Sequence, residues 1–433
     1  MEDILYNIKK VLPKIVLHHL KKPYHYLFAL LGSLIYRNPS KEITVIGITG
    51  TKGKSTVTEL TNAIFEAAGK RTALAGTIRF KIADETEHNK YKMTMPGRFF
   101  LQKFLRQAVD AGCEVAIVEM TSQGVLQYRH KFIDLDALIF TNLTPEHIES
   151  HGSFANYKEA KLQLAEAVAR SRKRPRYLVA NIDDEHGQDF LNYDVEQKLP
   201  YSLKNLSLHS LQKDSISLVY KDTTIRVPIV GLFNVYNTLA AITIAEAFGI
   251  APSTMQKALQ SLPHLRGRVQ LFKSSTANKQ VTAVVDYAHT PDSLEKLYEA
   301  FRDQQKICVL GNTGGGRDTW KRPEMGALAE KYCDHVILTN EDPYDEDPRT
   351  IVDEMRAGMS ESASVEIIMD RRSAIKKAIE LTPSGGYVLI SGKGSDPYIM
   401  GPHNTKMEWS DAETVQELLA ELPVTTEADS TLE

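Results

Sequence analysis

The chain has 433 residues, 42% hydrophobic, 25% charged and 8% aromatic. That is enough for two or three domains with real cores, and too apolar in balance for a disordered or fibrous polymer. Fifty-two Lys and Arg against fifty-five Asp and Glu leave a net charge of −3, so no global field draws the chain to nucleic acid, and no such partner is expected. Residues 1–40 form a leader in which Lys9, Lys10, Lys14, Lys21 and Lys22 alternate with Leu, Ile, Val and Tyr at roughly helical spacing. Its longest apolar run, Tyr26 to Tyr36, falls short of the roughly 20 residues that cross a bilayer. The leader reads as one or two amphipathic helices whose apolar face packs on the body; the alternative is a basic helix resting on an anionic membrane surface.

From Ile43, short β-branched runs alternate with helical segments: ITVIGIT, a helix to about Gly69, EVAIVEM, LDALIFTNL, a helix around Tyr157 to Ala169, and YLVANIDD. Continuous apolar runs of this length suit a parallel sheet buried on both faces. ISLVYKDTTIRVPIV instead alternates about a turn at Lys221-Asp222, an antiparallel hairpin expected to decorate the sheet, and a helix starts near Asn234. After the break LPHLRGR comes a second series: VTAVVDYAHT, a helix after Pro291, KICVLGN, a helix after Arg322, HVILTNED, VEIIMD, a helix, and GGYVLISGKG. The expected fold class is α/β: a helical leader over 1–40, a central domain with a mostly parallel sheet over 41–264, a Rossmann-like doubly wound domain over 265–423, and a polar tail over 424–433. Cys113, Cys308 and Cys333 stand far apart without a CxxC pair, which argues against a disulfide framework or structural zinc and points to the cytoplasm.

The strand ITVIGIT runs straight into GTKGKST and then into a helix with Val57, Leu60, Ile64 and Ala67 on one face. Gly50 and Gly53 let backbone N–H groups approach phosphate oxygens, Lys54 reaches the β- and γ-phosphates, and the Ser55 hydroxyl suits Mg²⁺ at the positive end of the helix. With Thr51, Lys52 and Thr56 the loop completes a nucleoside-triphosphate site, so the central domain reads as a P-loop ATPase. Strict GxxxxGK[ST] spacing would need Gly at Ile48, which makes this a TGTxGKST variant. Glu119 ends EVAIVEM, where a carboxylate of a parallel sheet projects beyond the strand's carboxyl end; with Ser55 and His147 it makes an O/O/N set suited to Mg²⁺. Standing alone, such a Glu would be a solvated strand terminus. Asn234 and Asn237 share one helical face and suit adenine, or alternatively a helix cap and a polar surface position.

The TGTxGKST loop is followed, in order across residues 43–411, by VEMTSQGVLQYR, TNLTPEHIESHGSFANYKEAK, GLFNVYNTLAA, DYAHTPDSLEK, GGGRDTWKRPEMG and SGKG. This series resembles the Mur ligases and their folylpolyglutamate synthase relatives, and DYAHTPDSLEK and KRPEMG look most like the tripeptide synthetases among them. The resemblance implies an ATP- and Mg²⁺-dependent ligase. It would activate a muramoyl-peptide carboxylate as an acyl phosphate and join it to a free amino acid in peptidoglycan precursor synthesis. It further implies Glu119 and His147 as metal ligands and Lys161 of YKEAK as a lysine whose carbamate helps to hold a second Mg²⁺. Asn234, Asn237, Arg268 and Asp286 are implied as nucleotide contacts, and Thr94, Ser122 and Arg129 as contacts to the acceptor. Lys54, His147 and Lys161 are then the catalytic set. Without the family, Lys161 is only a helix-surface lysine.

The chain departs from the family in two places. The family's UDP-binding domain before the loop has no counterpart in the short leader, so the acceptor reads as a UDP-muramoyl-peptide or a related UDP-free or lipid-linked muropeptide. Where diaminopimelate-adding members carry DNPR and GKGHE, this chain has Glu341-Asp342-Pro343-Tyr344 and Gly392-Lys393-Gly394-Ser395-Asp396. Losing the Arg disfavours diaminopimelate, and Glu341, Asp342 and Asp396 suit a basic side chain such as that of lysine or ornithine. The competing readings are a folylpolyglutamate synthase-like ligase and a nucleotide-gated module without turnover.

Overall fold

The computed structural model describes residues 14–146, 148–274, 279–316 and 318–422. The chain divides into two compact units, Met1–Leu206 with Tyr236–Ala258, and Ser207–Val235 with Leu259–Glu433. Residues 1–13 of the leader and the tail over 424–433 lie outside the described residues.

The first unit opens with helix α1 (Lys14–Ile35). It continues through β1 (Thr44–Thr49), α2 (Lys54–Ala67), β2 (Thr72–Ala75), β3 (Arg79–Ile82), β4 (Glu85–His88), α3 (Arg98–Asp110), β5 (Val115–Glu119), β6 (Ala137–Phe140), α4 (Phe154–Ala169), β7 (Tyr177–Asn181) and β8 (Gln197–Tyr201). Its sheet runs β4-β3-β2-β5-β1-β6-β7-β8. All pairings from β2 to β8 are parallel, and β3 and β4 add an antiparallel edge. The apolar strand β1 lies at the centre, so the loop leaving its carboxyl end emerges between the ends of β5 and β6, where doubly wound sheets place ligands. Register pairs Ile48 with Glu119 and Thr49 with Phe140, which fixes what stands beside that loop. On one face Leu101 and Leu105 of α3 and Leu164 and Val168 of α4 share a core with Val45, Ala116 and Leu138 of the sheet. The leader helix α1 packs against α3 as expected, but not by its apolar stripe, which stays exposed: Phe28 meets Phe99 edge-on at 5.7 Å, and Arg106 Nε donates to the Tyr36 carbonyl at 3.1 Å.

In the second unit, β9 (Leu208–Leu211), β10 (Ile216–Tyr220) and β11 (Thr223–Val227) form a three-stranded antiparallel sheet. Lys221 and Asp222 turn the β10–β11 hairpin with both φ positive, as a two-residue hairpin of matching twist demands. The hairpin does not decorate the large sheet as expected; β10 spends its other edge on β9. Helix α5 (Leu232–Ala247) follows, starting near where the sequence placed it; from Tyr236 on it counts in the first unit.

The second sheet and the helices on its faces are built from β12 (Gln270–Lys273), β13 (Thr282–Val285), α6 (Pro291–Ala300), β14 (Lys306–Leu310), α7 (Lys321–Tyr332), β15 (His335–Leu338), β16 (Val365–Ile367), α8 (Arg371–Leu381), β17 (Tyr387–Ile390) and α9 (Asp411–Ala420), among other elements. The sheet order β12-β13-β17-β14-β15-β16 is parallel apart from the edge strand β12. Leu294, Leu297, Met325 and Ala329 cover one face, and Ile375, Ala378, Val415 and Leu418 the other, which is the expected doubly wound α/β arrangement.

One expectation is overturned here. Cys308 in β14 and Cys333 just after α7 form a disulfide, with Cα atoms 6.1 Å apart. The βαβ crossover brings the chain back beside β14 as it enters β15, a proximity that a separation of 25 residues does not advertise. Among the described residues no helix is long and apolar enough to cross a membrane.

Candidate active site

The glycines of the loop after β1 are required by space. A Cβ on Gly50 would fall 1.8 Å from Thr141 Oγ1, and one on Gly53, whose φ is +83°, would fall 2.3 Å from Asn237 Oδ1. The loop is laced to the segment after β6: Thr51 N–H donates to the Asn142 carbonyl at 2.8 Å, Lys52 N–H to Asn142 Oδ1 at 2.9 Å, and Thr141 Oγ1 to the Lys52 carbonyl at 2.7 Å. The Thr51 hydroxyl lies 3.0 Å from Tyr157 OH and accepts the Thr144 N–H. Gly53 caps α2, so the free N–H groups and positive dipole end of that helix face the loop, and Thr56 sits buried in its first turn. Lys54 Nζ donates to the Gly50 and Thr51 carbonyls at 3.0 and 2.9 Å, folded across the loop it serves.

Glu119 is buried and meets the first turn of α2. Its Oε2 accepts Ser55 Oγ at 3.2 Å and Thr77 Oγ1 at 2.9 Å, and its Oε1 accepts the Thr77 N–H at 2.8 Å. Two of the three expected metal ligands thus stand together, while His147 lies outside the described residues. Among those residues no group of three or more His, Cys, Asp or Glu side chains is placed to hold a metal. The Ser55 and Glu119 oxygens nevertheless fit Mg²⁺, which takes one or two protein oxygens and completes its shell with water and phosphate.

Lys161 is not the surface residue that its helix alone suggests. It is 2% exposed on α4, its Nζ donates to the Gly50 carbonyl at 2.7 Å, and it lies 4.9 Å from the centre of the Tyr157 ring. Burial, with the Lys54 and Lys52 ammoniums nearby and Glu146 opposing them, pushes it far below the usual lysine range. Lys52 itself pairs with Glu146 at 2.8 Å.

The expected acceptor residues gather through Met95. The Thr94 hydroxyl bonds to Thr77 Oγ1 at 2.8 Å, Arg129 donates to the Met95 carbonyl, and Thr121 N–H contacts Met95 Sδ at 3.2 Å. Ser122 Oγ lies 3.1 Å from His151 Nε2. On α5, Asn237 faces the loop as described, whereas Asn234 donates to the Val230 carbonyl at 2.8 Å, one turn back on its own chain.

In the second unit, Arg268 stacks 4.6 Å from the centre of the Tyr287 ring and donates to the Gly267 carbonyl at 2.8 Å. Asp286 accepts the N–H groups of Val269 and Ala288 at 2.8 and 2.7 Å; burial raises its carboxyl pKa against the pull of Arg268. Glu341, Asp342 and Asp396 come together around Lys393, which is 1% exposed. Lys393 Nζ lies 2.8 Å from Asp342 Oδ1 and 3.1 Å from Asp396 Oδ2. Glu341 Oε1 accepts Thr313 Oγ1 at 3.0 Å, and its buried Oε2 has no hydrogen-bond partner among the described residues.

The sequence passed over Arg371. This fully buried residue binds both oxygens of Asp411, at 2.8 and 2.7 Å, and donates to the Asn340 and Ser391 carbonyls, so it pins the two loops that carry the acidic cluster. Thr77, Glu146, Tyr157 and His151 were passed over too. Glu146, His151 and Tyr157 carried a signal, lying inside TNLTPEHIESHGSFANYKEAK, whereas Thr77 carried none.

Comparison with known proteins agrees with this geometry. Residues 48–245 match the Mur ligase middle domain, and residues 267–394 match the Mur ligase glutamate ligase domain. The chain is 35% identical over 406 residues to the UDP-N-acetylmuramoyl-L-alanyl-D-glutamate--2,6-diaminopimelate ligase of Syntrophomonas wolfei, covering 90% of this chain and 81% of that protein. It is 35% identical over 412 residues to the enzyme of the same name from Lactiplantibacillus plantarum, covering 91% and 82%. A solved structure of a ligase of that name superposes with a TM-score of 0.60 at 28% identity, over 87% of this chain and 78% of that one. Folylpolyglutamate synthase of Mycobacterium tuberculosis, solved with ADP, shares the fold at a TM-score of 0.66 and 16% identity, over 87% and 95%. With both Mur ligase domains matched and relatives 35% identical over most of its length, the chain belongs to the Mur ligase family.

Proposed function

We propose that this chain is a cytoplasmic, ATP- and Mg²⁺-dependent ligase that joins a free amino acid with a cationic side chain to the carboxylate of a muramoyl-peptide or related muropeptide. The observation that carries the reading is convergence. Lys54 and Ser55, Glu119, and Lys161 come from three distant segments and meet at one phosphate-binding loop.

A carboxylate does not condense with an amine at neutral pH because oxide is a poor leaving group. Attack of the acceptor carboxylate on the γ-phosphorus releases ADP and leaves an acyl phosphate; the amine then attacks the acyl carbon, loses its proton and expels phosphate. Lys54 and the N–H groups of the loop hold the phosphates and offset charge as it develops on them. Ser55 and Glu119 would hold Mg²⁺, whose contribution when bound is to neutralise phosphate charge. Lys161, buried against like charges, is disfavoured as a cation; a carbamate formed there by adding CO₂ and releasing a proton would be an anion suited to a second Mg²⁺. Thr94, Ser122 and Arg129 would position the acceptor.

The named relatives use diaminopimelate. Diaminopimelate and lysine share a distal ammonium, and this chain keeps carboxylates for it while placing Tyr344 where an Arg would clasp a distal carboxylate. A lysine-type substrate fits that combination.

The test is phosphate release from ATP and Mg²⁺, with UDP-N-acetylmuramoyl-dipeptide or folate as acceptor and a panel of amino acids. Stimulation by the muramoyl-dipeptide with lysine or ornithine is expected. Stimulation by folate, or none with any muropeptide, would overturn the reading. Lys161→Ala is expected to lower turnover about 100-fold, with partial rescue by added acetate or formate; Lys161→Ala activity unmoved by those acids would remove the carbamate from the account.

A further inference from the structure

From Ile4 to Lys41 the chain carries seven Lys and Arg and no Asp or Glu, in a protein whose net charge is −3. Helix α1 lies within this stretch, with Lys14, Lys21 and Lys22 in its N-terminal half. Its inner face is settled: His25, Ala29 and Ser33 are buried, and Phe28 packs on Phe99. The opposite face is apolar and exposed. Leu27, Leu31 and Leu34, spaced at one and two helical turns, are 51%, 39% and 58% exposed, with Ile35 beside them at 61%.

A helix surface facing only water would be polar on that side, and a contiguous apolar stripe marks a contact. We propose that this face of α1 is a peripheral membrane-binding surface that lays Leu27, Leu31, Leu34 and Ile35 into the headgroup boundary of an anionic phospholipid bilayer. Two features select lipid over a protein partner. The helix is anchored by its inner face and turns the stripe outward, the geometry of an interfacial helix lying in the membrane plane. The flanking charge is of one sign only, which complements an anionic lipid surface and repels a second copy of the same stretch. The helix is not apolar enough to span the bilayer, which is consistent with lying on it. The proposal does not depend on the ligase reading.

The experiment is co-sedimentation of the full chain with vesicles of phosphatidylglycerol and phosphatidylcholine, against phosphatidylcholine alone, at low and raised salt. Retention on the anionic vesicles is expected to be at least about tenfold higher at low salt and to fall steeply as salt screens it. The triple variant L27S/L31S/L34S is expected to lose about tenfold, and K21Q/K22Q, which leaves the stripe intact, a similar factor. Thermal melting and ATP binding check the fold; if the triple variant melts early, the lysine variant and the salt titration decide. Equal retention on both vesicle types, no retention, or variants that bind like the parent would overturn the proposal. So would self-association that the triple variant abolishes in a chain that ignores vesicles.

Discussion

The two units each bury a cluster of charge, and the clusters are built with opposite surpluses. At the loop of the first unit Lys52, Lys54 and Lys161 crowd together, and the carboxylate paired with them is Glu146. In the second unit Asp342 and Asp396 share the single ammonium of Lys393, while Glu341 stands beside them with one oxygen unbonded among the described residues. Neither arrangement is a stability device, because burying like charges costs more than pairing them returns. A surplus of one sign in a dry site is what a ligand of the other sign repays. On the function proposed above, the first cluster serves a polyphosphate and the second a cationic side chain. The means of tolerating the surplus also differ: the first rests its ammoniums on backbone carbonyls and depresses Lys161, while the second hangs its loops on a separate, fully neutralised pair, Arg371 with Asp411.

The largest expected effect breaks that frame. Arg371→Met leaves the buried Asp411 carboxylate unpaired and frees the Asn340 and Ser391 carbonyls, at a cost of about 3–5 kcal/mol. Chemical denaturation followed by proteolysis of the second unit should show the loss, while ATP binding by the first unit persists under native conditions. The double variant Arg371→Met with Asp411→Leu should recover most of it, since the unpaired charge is gone. Failure to recover would mean that the hydrogen bonds to the two loops, and not the ion pair, hold the acidic cluster.

The next effect lies in the first cluster. Lys54→Met removes the cation best placed for the transferring phosphoryl group and should cut ATP-dependent phosphate release about 10²–10³-fold. Methionine keeps most of the side chain's length and apolar volume, so the melting temperature should stay within a few degrees although two loop carbonyls lose a donor. An equal loss of fold and activity would recast Lys54 as a structural clasp of the loop.

These clusters were unequally legible in the sequence. The strand–glycine–GKST–helix run exposed the phosphate loop because each part constrains its neighbours within a dozen residues. Glu119 could be placed because a buried parallel strand has only one carboxyl end. Lys161 could not be seen as buried from its own helix, since burial there depends on Tyr157 and the Gly50 carbonyl meeting it from elsewhere in the fold. The acidic residues were visible, but the pairing of Lys393 with them was not, because a salt bridge across 51 residues leaves no local pattern. The Cys308–Cys333 bond and the partnering of the β10–β11 hairpin with β9 escaped for the same reason: both are decided by which segments the topology brings side by side.

The smallest effect sharpens the contrast most. Asp342 and Asp396 already have Lys393, so Glu341 is the carboxylate with charge left to offer. Burial raises its pKa, Asp342 pushes the same way, and Arg371 and Lys393 oppose them. A Cβ on Gly392 would fall 2.0 Å from its unbonded oxygen, so the glycine leaves the room that the carboxylate occupies. Glu341→Gln keeps the shape and removes the charge. It should raise the KM for lysine or ornithine about tenfold, equivalent to about 1.4 kcal/mol, with turnover and the KM for ATP within about twofold. The pH dependence carries the sign. A carboxyl with a raised pKa gains its proton at a higher pH than an ordinary one, so the parent's KM for the cationic amino acid should climb as pH falls. In Glu341→Gln the same profile should be flat. A variant that keeps the parent's slope would shift the recognition of the side chain to Asp342 and Asp396, and with it the assumption that Lys393 holds their charge through the catalytic cycle.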